Sequence, residues 1–187
     1  MATCLQLLKE TGIRIGEALK LKWTDMDFQR SLVRITAEKN SNPRILKVSS
    51  KLTAMLNTLP KKDERVFPYT RAGIKHMFWN HRRKVAHKLQ NPRFRQISFH
   101  TFRHWKGTME YHKTKDIIHV QQILGHKCIT STMLYINLET VTFGTQDDQF
   151  HVKVAHTLDE ACKLLEVGFE YVCNMENVNV KIFRKRQ

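Results

Sequence analysis

Between Arg71 and Lys115 the chain carries twelve lysines and arginines against one acid, Glu110. A stretch so charged cannot be buried, so its apolar residues must gather on one side of regular elements while the cations stay in water or on an anion. The stretch reads as helical, a long basic helix from about Arg71 to Leu89 and another from about Phe99 to Tyr111. A short charged run is commonly a solvated helix face. At this length and bias, contact with DNA or RNA is the stronger reading, with Arg71, Lys75, Arg82, Arg83, Lys84, Arg93 and Arg95 as candidate contacts. The whole chain, 187 residues at a formal charge of +15, shares the bias, yet 41% of its residues are hydrophobic and one packed core is expected.

The rest of the chain is also mainly helical. Thr3 to Glu10 and Ile15 to Lys22 show helical spacing on either side of the Thr11-Gly12 break, with Arg14 between them. Trp23 to Asp27 reads as a polar turn. Ser31 to Thr36 and Ile45 to Ser49 are short strand candidates joined by the polar loop 38–43, a β-hairpin with a basic tip. Leu52 to Leu59, Lys115 to Leu124 and Thr130 to Leu138 are further helices, the last two separated by Gly125 and spaced like a helix-turn-helix.

Beyond Thr140 the character changes. FGTQDDQ is loop-like, and Asp147 to Glu176 holds seven acids and two lysines. Thr157-Leu-Asp-Glu160 is a capping box opening a helix to about Val167, which Gly168 ends. Phe169 to Cys173 and Val178 to Phe183 suggest a terminal hairpin around a Glu-Asn-Val-Asn turn. The expected fold class is therefore mainly α with a small antiparallel β-sheet (α+β), as residues 1–140 followed by a tail of linker, helix and hairpin over 141–187.

Several function classes lose support at once. There is no GxxxxGK[ST], GxGxxG or HExxH, so nucleotide hydrolysis, dinucleotide binding and zinc catalysis have no motif. The four cysteines form no CxxC pair, and no signal peptide opens the chain, so a cytoplasmic protein is expected. No apolar stretch approaches the roughly 18 residues of a membrane span. His100 and His104 stand four apart, as two ligands on one helical face would, but lack the glutamate of a zincin; no metal is expected.

Four blocks remain: TGIRIGEALKLKWTDMD around Arg14, HTFRH with His100 and Arg103, LGH ending at His126, and Tyr135 nine residues later. Taken singly each has a bland reading. Arg14 serves as a surface charge, His126 as a helix-end cation, and Tyr135 as a half-buried aromatic.

In order, spacing and flanking residues the four together closely resemble the catalytic domain of tyrosine recombinases, the phage integrase and Xer group, over about Leu5 to Leu138. The tail, LDEACKLLEVGFEYV followed by FRKR, looks similar to tails of archaeal Xer-like integrases. The resemblance implies that Arg14 and Arg103 clamp a phosphate, that His100 and His126 are the two active-site histidines, and that Tyr135 is the nucleophile. In the Xer group a lysine follows the first strand in a glycine-rich turn; EKNSNPR holds that place here without the glycines, which makes Lys39 the candidate general acid and Lys47 a distant second. The implied partner is double-stranded DNA, cleaved and rejoined through a 3′-phosphotyrosyl intermediate by a homo-oligomer, a tetrameric synapse in the family.

Those residue types suit metal-free phosphodiester cleavage. It needs a nucleophile, a proton donor to the leaving oxygen and fixed positive charge around the phosphorane. A phenol of pKa about 10 needs a base or an electropositive site, and His100 is the better base, His126 the better phosphate donor. No cofactor is required. Family members usually carry an N-terminal helical core-binding domain; ten residues precede Thr11, so the catalytic half alone is expected. The rivals are a non-catalytic helix-turn-helix-like DNA-binding module and a regulatory fragment acting on a full-length recombinase. A type IB topoisomerase uses similar chemistry, but the Xer-like blocks favour recombination.

Overall fold

The computed structural model describes residues 1–38, 41–144, 150–175 and 180–186. It divides into two compact units, Met1–Thr142 and Phe143–Gln187.

In the first unit, α1 (Ala2–Thr11) buries Cys4, Leu7 and Leu8 and stops at Gly12, whose φ of 65° is the left-handed conformation that glycine adopts without strain. Arg14 then takes an extended backbone and becomes the N-cap of α2 (Ile15–Lys20). The strands β1 (Met26–Asp27), β2 (Leu32–Ile35) and β3 (Arg44–Lys47) form an antiparallel sheet in the order β1-β2-β3. The hairpin was expected and the first strand was not. Trp23–Asp25 is a 3-10 turn, and Met26 and Asp27 pair with Val33 and Leu32. Two residues carry no alternation to read, so this pairing is decided by what lies alongside.

Helices α3 (Ser50–Asn57), α4 (Arg71–Lys88), α5 (Phe99–Thr114), α6 (Ile117–Leu124) and α7 (Thr130–Phe143) complete the unit. Thr70 caps α4 and Ser98 caps α5, each hydroxyl accepting from a backbone N–H three residues on. α6 starts two residues later than expected because Lys115 turns left-handed at φ 52° to close α5, and Asp116 Oδ1 accepts from the N–H groups of Ile118 and His119 at 2.8 and 3.0 Å. α7 runs past its expected end at Leu138 to Phe143, into the stretch read as a loop. The main core joins α1 to the sheet, α3 and α4 through Leu7, Leu8, Val33, Ile35, Leu52, Leu56 and Ile74. A smaller cluster, Val120, Leu124 and Tyr135 with Tyr111 against it, lies where α5, α6 and α7 meet.

The second unit contains β4 (Phe150–Ala155), α8 (Leu158–Glu166), β5 (Glu170–Met175) and β6 (Val180–Arg186), an antiparallel sheet in the order β4-β6-β5. The capping box forms as read: Thr157 Oγ1 accepts from Glu160 N–H at 3.3 Å, and the Glu160 carboxylate accepts from Thr157 N–H. Ala155, Ala161, Phe169 and Phe183 make its core. The expected hairpin gains a third strand, β4, in a stretch read as linker although FHVKVA alternates. The Glu-Asn-Val-Asn turn, 176–179, lies outside the described residues.

Candidate active site

Three chain reversals in the first unit, at Gly12, Gly125 and the far end of the β2–β3 hairpin, meet at one place. Arg103, on the buried face of α5, reaches across it. Its Nη1 donates to Gly12 O and its Nη2 to Leu124 O, both at 2.8 Å. Both acceptors lie at helix C-terminal ends, where unpaired carbonyls and the helix dipole favour a cation. Burial, with Arg14 close by, lowers its pKa to about 10, which leaves it protonated at neutral pH.

Arg14 is fixed from the backbone. Its N–H donates to Glu17 Oε2 at 2.8 Å, closing the first turn of α2, while its guanidinium stands 3.7 Å from the same carboxylate. Arg14 Nη1 is buried and makes no hydrogen bond among the described residues. A buried donor left unpaired is costly, and an anion would satisfy it.

Glu17 is the hub. Its buried carboxylate accepts from Arg44 Nη1 and Nη2 at 3.1 and 2.9 Å and from Ser41 Oγ at 2.9 Å. Burial opposes its charge, but the donors prevail and hold its pKa below the ordinary carboxylate range. Arg44 Nε donates to Ile123 O at 2.7 Å and Asn42 N–H to Gly125 O at 2.9 Å, with Ser41 Oγ 3.2 Å from the same carbonyl. The hairpin end is thereby tied to the turn that carries His126. At Gly125, φ 70°, a Cβ would fall 2.6 Å from Arg44 Nη1.

His126 is buried, and its Nδ1 lies 2.9 Å from Thr132 Oγ1. Burial, reinforced by Arg103, Arg14 and Arg44, brings its pKa to about 4, so the ring is neutral at pH 7. The Tyr135 ring lies nearly parallel to it, centroids 6.3 Å apart at 6°, and 6.0 Å from the His104 ring. Tyr135 is 1% exposed. Burial prevails and holds its phenol pKa above the ordinary value, with Arg103 and Arg14 pulling the other way. Room for the ring comes from Gly107 of α5, where a Cβ would fall 2.6 Å from Cε1 and Cζ.

Thus Arg14, Arg103, His126 and Tyr135 are brought together from four separate segments. His100, in the first turn of α5, is exposed, its ring 6.2 Å from that of His104. Lys39 lies outside the described residues. Lys47 closes β3, paired with Leu32. Glu17, Ser41, Arg44, Thr132 and Gly107 were not among the candidates. Only Glu17 has a local signal, the carboxylate three residues beyond an N-cap.

Of the candidate DNA contacts, Arg71, Lys75, Arg83, Lys84, Arg93 and Arg95 are exposed, Arg83 standing over the Trp79 ring at 4.5 Å. Arg82 is turned inward: its Nη1 donates to Arg95 O and Ile97 O, and its guanidinium lies over Phe78. Those bonds join α4 to the segment before α5. Among the described residues no group of three or more His, Cys, Asp or Glu could hold a metal ion, and no helix is long and apolar enough to cross a membrane.

A mainly helical unit with a three-stranded sheet thus brings four polar side chains from separate segments to one place. Residues 1–141 match the sequence profile of the phage integrase family, and the chain belongs to that family. Among curated relatives, a putative integrase/recombinase of Sinorhizobium fredii is 31% identical over 134 residues, 69% of this chain and 43% of that protein. A probable integrase/recombinase of Methanocaldococcus jannaschii is 28% identical over 146 residues, 72% of this chain and 44% of that one. The chain thus spans less than half the length of these relatives. The fold is that of the XerA recombinase crystal structure (TM-score 0.60, 21% identity, 78% of this chain and 58% of that chain). The catalytic domain of bacteriophage HP1 integrase is also similar (TM-score 0.52, 24% identity, 75% of this chain and 80% of that chain).

Proposed function

We propose that this chain is the catalytic part of a site-specific DNA recombinase or integrase, cleaving and rejoining double-stranded DNA through Tyr135. The observation that carries the reading is the convergence of Tyr135, His126, Arg103 and Arg14 on one point, with the buried Arg14 Nη1 making no hydrogen bond among the described residues. Family membership supports it, as does the likeness in fold to a Tn1549 transposon integrase solved with transposon right end DNA.

In the proposed step Tyr135 Oη attacks phosphorus, the bond from phosphorus to the 5′ oxygen breaks, and a 3′-phosphotyrosine forms. The phenol proton passes to His100, and Lys39 protonates the departing 5′ oxygen. Arg14 and Arg103 hold the non-bridging oxygens with permanently charged donors. If the Thr132 hydroxyl donates to His126 Nδ1, the proton of the neutral ring sits on Nε2 and is available to the phosphate. Attack by another 5′-hydroxyl reverses the step and reseals the strand with no nucleotide cofactor. Since Tyr135 is buried against Arg103 and His126 of its own chain, cleavage is proposed to occur in cis. The exposed basic residues of α4 and Arg93 to Arg95 are proposed to hold the backbone of the duplex, within a homo-oligomer assembled on DNA in the cytoplasm.

A nicked half-site whose released fragment diffuses away tests this. Wild type should give a covalent adduct resistant to denaturant, and Tyr135→Phe none. If both give the same gel pattern with no adduct, the reading fails and a non-catalytic DNA-binding module replaces it.

A further inference from the structure

We propose that Glu139, held by Lys115 and His112, is a positioning residue that fixes the nucleophile helix; the proposal rests on Tyr135 being the nucleophile.

The residues of α7 that are buried are Thr132, Tyr135 and Glu139. Their spacing of three and four puts them on one face. Most of its large apolar residues point elsewhere, Ile136 being half-buried: Met133 is 52% exposed, Leu134 and Leu138 each 37%. Burial of apolar surface, the usual means by which a helix is held to its neighbours, therefore falls mainly on Tyr135 itself. Specific contacts along that face do the rest. Thr132 meets His126, Tyr135 fits against Gly107, and the Glu139 carboxylate accepts from Lys115 Nζ at 2.5 Å and meets His112 Nδ1 at 2.7 Å.

The third contact has a particular geometry. Glu139 lies one helical turn beyond Tyr135, on the same side. Its partners stand at the end of α5, the helix that carries Arg103 and Gly107. Lys115 is held in the left-handed conformation that ends α5, so its position is set by the backbone. The pair thus fixes the C-terminal half of α7 to the helix bearing a clamp arginine, and with it the distance from nucleophile to clamp. Both partners keep access to water, Lys115 being 59% and His112 41% exposed. Losing the carboxylate leaves no buried unpaired charge, so the effect should fall on alignment rather than on folding.

The test compares wild type, Glu139→Gln, Lys115→Met and the exchanged pair Glu139→Lys with Lys115→Glu. Readouts are the single-turnover rate of adduct formation on the nicked half-site, DNA affinity, melting temperature and amide hydrogen exchange across residues 130–142. Glu139→Gln and Lys115→Met should slow adduct formation about 10- to 100-fold, the range expected of a misplacement approaching 1 Å. In Glu139→Gln affinity and melting temperature should stay near wild type, exchange in α7 should quicken in both single variants, and the exchanged pair should recover most of the rate. If the two single variants cleave as wild type does, or α7 exchanges no faster, the positioning role is wrong while the nucleophile assignment stands. If rate, affinity and melting temperature fall together and the exchanged pair recovers nothing, the contact is merely structural and the proposal is overturned. If wild type itself forms no adduct, the nucleophile reading falls and this one with it.

Discussion

Adding one methyl group at Gly107 should separate catalysis from stability. A Cβ there would lie 2.6 Å from Cε1 and Cζ of Tyr135 and 2.9 Å from Cδ1, where ordinary contact begins at 3.4 Å. The backbone of α5 is held by its own hydrogen bonds, so the tyrosine ring, or α7 with it, must retreat by about 0.8 Å. Overpacking of this kind costs about 1–3 kcal/mol. Alanine returns about 1 kcal/mol over glycine inside a helix, so Gly107→Ala should be destabilised by about 0–2 kcal/mol. The proposed nucleophile has less tolerance, since a displacement near 1 Å costs about 100-fold in rate. Urea melts and single-turnover adduct formation on a nicked half-site measure the two quantities. A variant that cleaves within about twofold of wild type would show that the ring does not react from the position described, and would refute the reasoning.

Arg44→Ala leaves the Glu17 carboxylate buried without its two-pronged partner and should cost about 3–5 kcal/mol in a urea melt; a loss under about 1 kcal/mol would show the pair to be dispensable. Arg103→Lys places a single ammonium where a planar fork spans Gly12 O and Leu124 O, so both cleavage rate and melting temperature should fall, and a lysine variant with wild-type melting would contradict the geometry. The His126 ring titrates near pH 4 in the fold against about 6.5 unfolded, so the unfolded chain takes up the proton first on acidification. Its contribution is whole above pH 6.5 and is lost as pH falls toward 4; the stability of wild type relative to His126→Gln should decline across that window, and a difference independent of pH would count against it.

Local elements were well announced by the sequence. The sequence located α1 to α7 closely except at the end of α7, Gly12 and Gly125 marked real chain reversals, and the capping box at Thr157 formed and opened α8, because each depends on neighbours a few residues apart. The same dependence explains the misses. β1 has two residues and no pattern, and exists through its pairing with β2. β4 did alternate, but over six residues beside loop-like text. Arg82 looked like its basic neighbours on α4, and only the path of the chain through Arg95 and Ile97 turned it inward.

For the site the division is sharper. The candidate residues are picked out of a chain rich in arginine and histidine by the resemblance of the blocks that hold them, and four of them, Arg14, Arg103, His126 and Tyr135, come together in the fold. Their state was not legible. The tertiary structure made His126 neutral, bound Arg103 to two carbonyls, gave Glu17 to Arg44 instead of solvent, and set Tyr135 against Gly107. Every one of these joins segments far apart in the chain, through burial and distances that no local pattern records. Sequence alone determined which groups were present and which helices bore them; only packing decided how far apart they stand and which of them keep a charge.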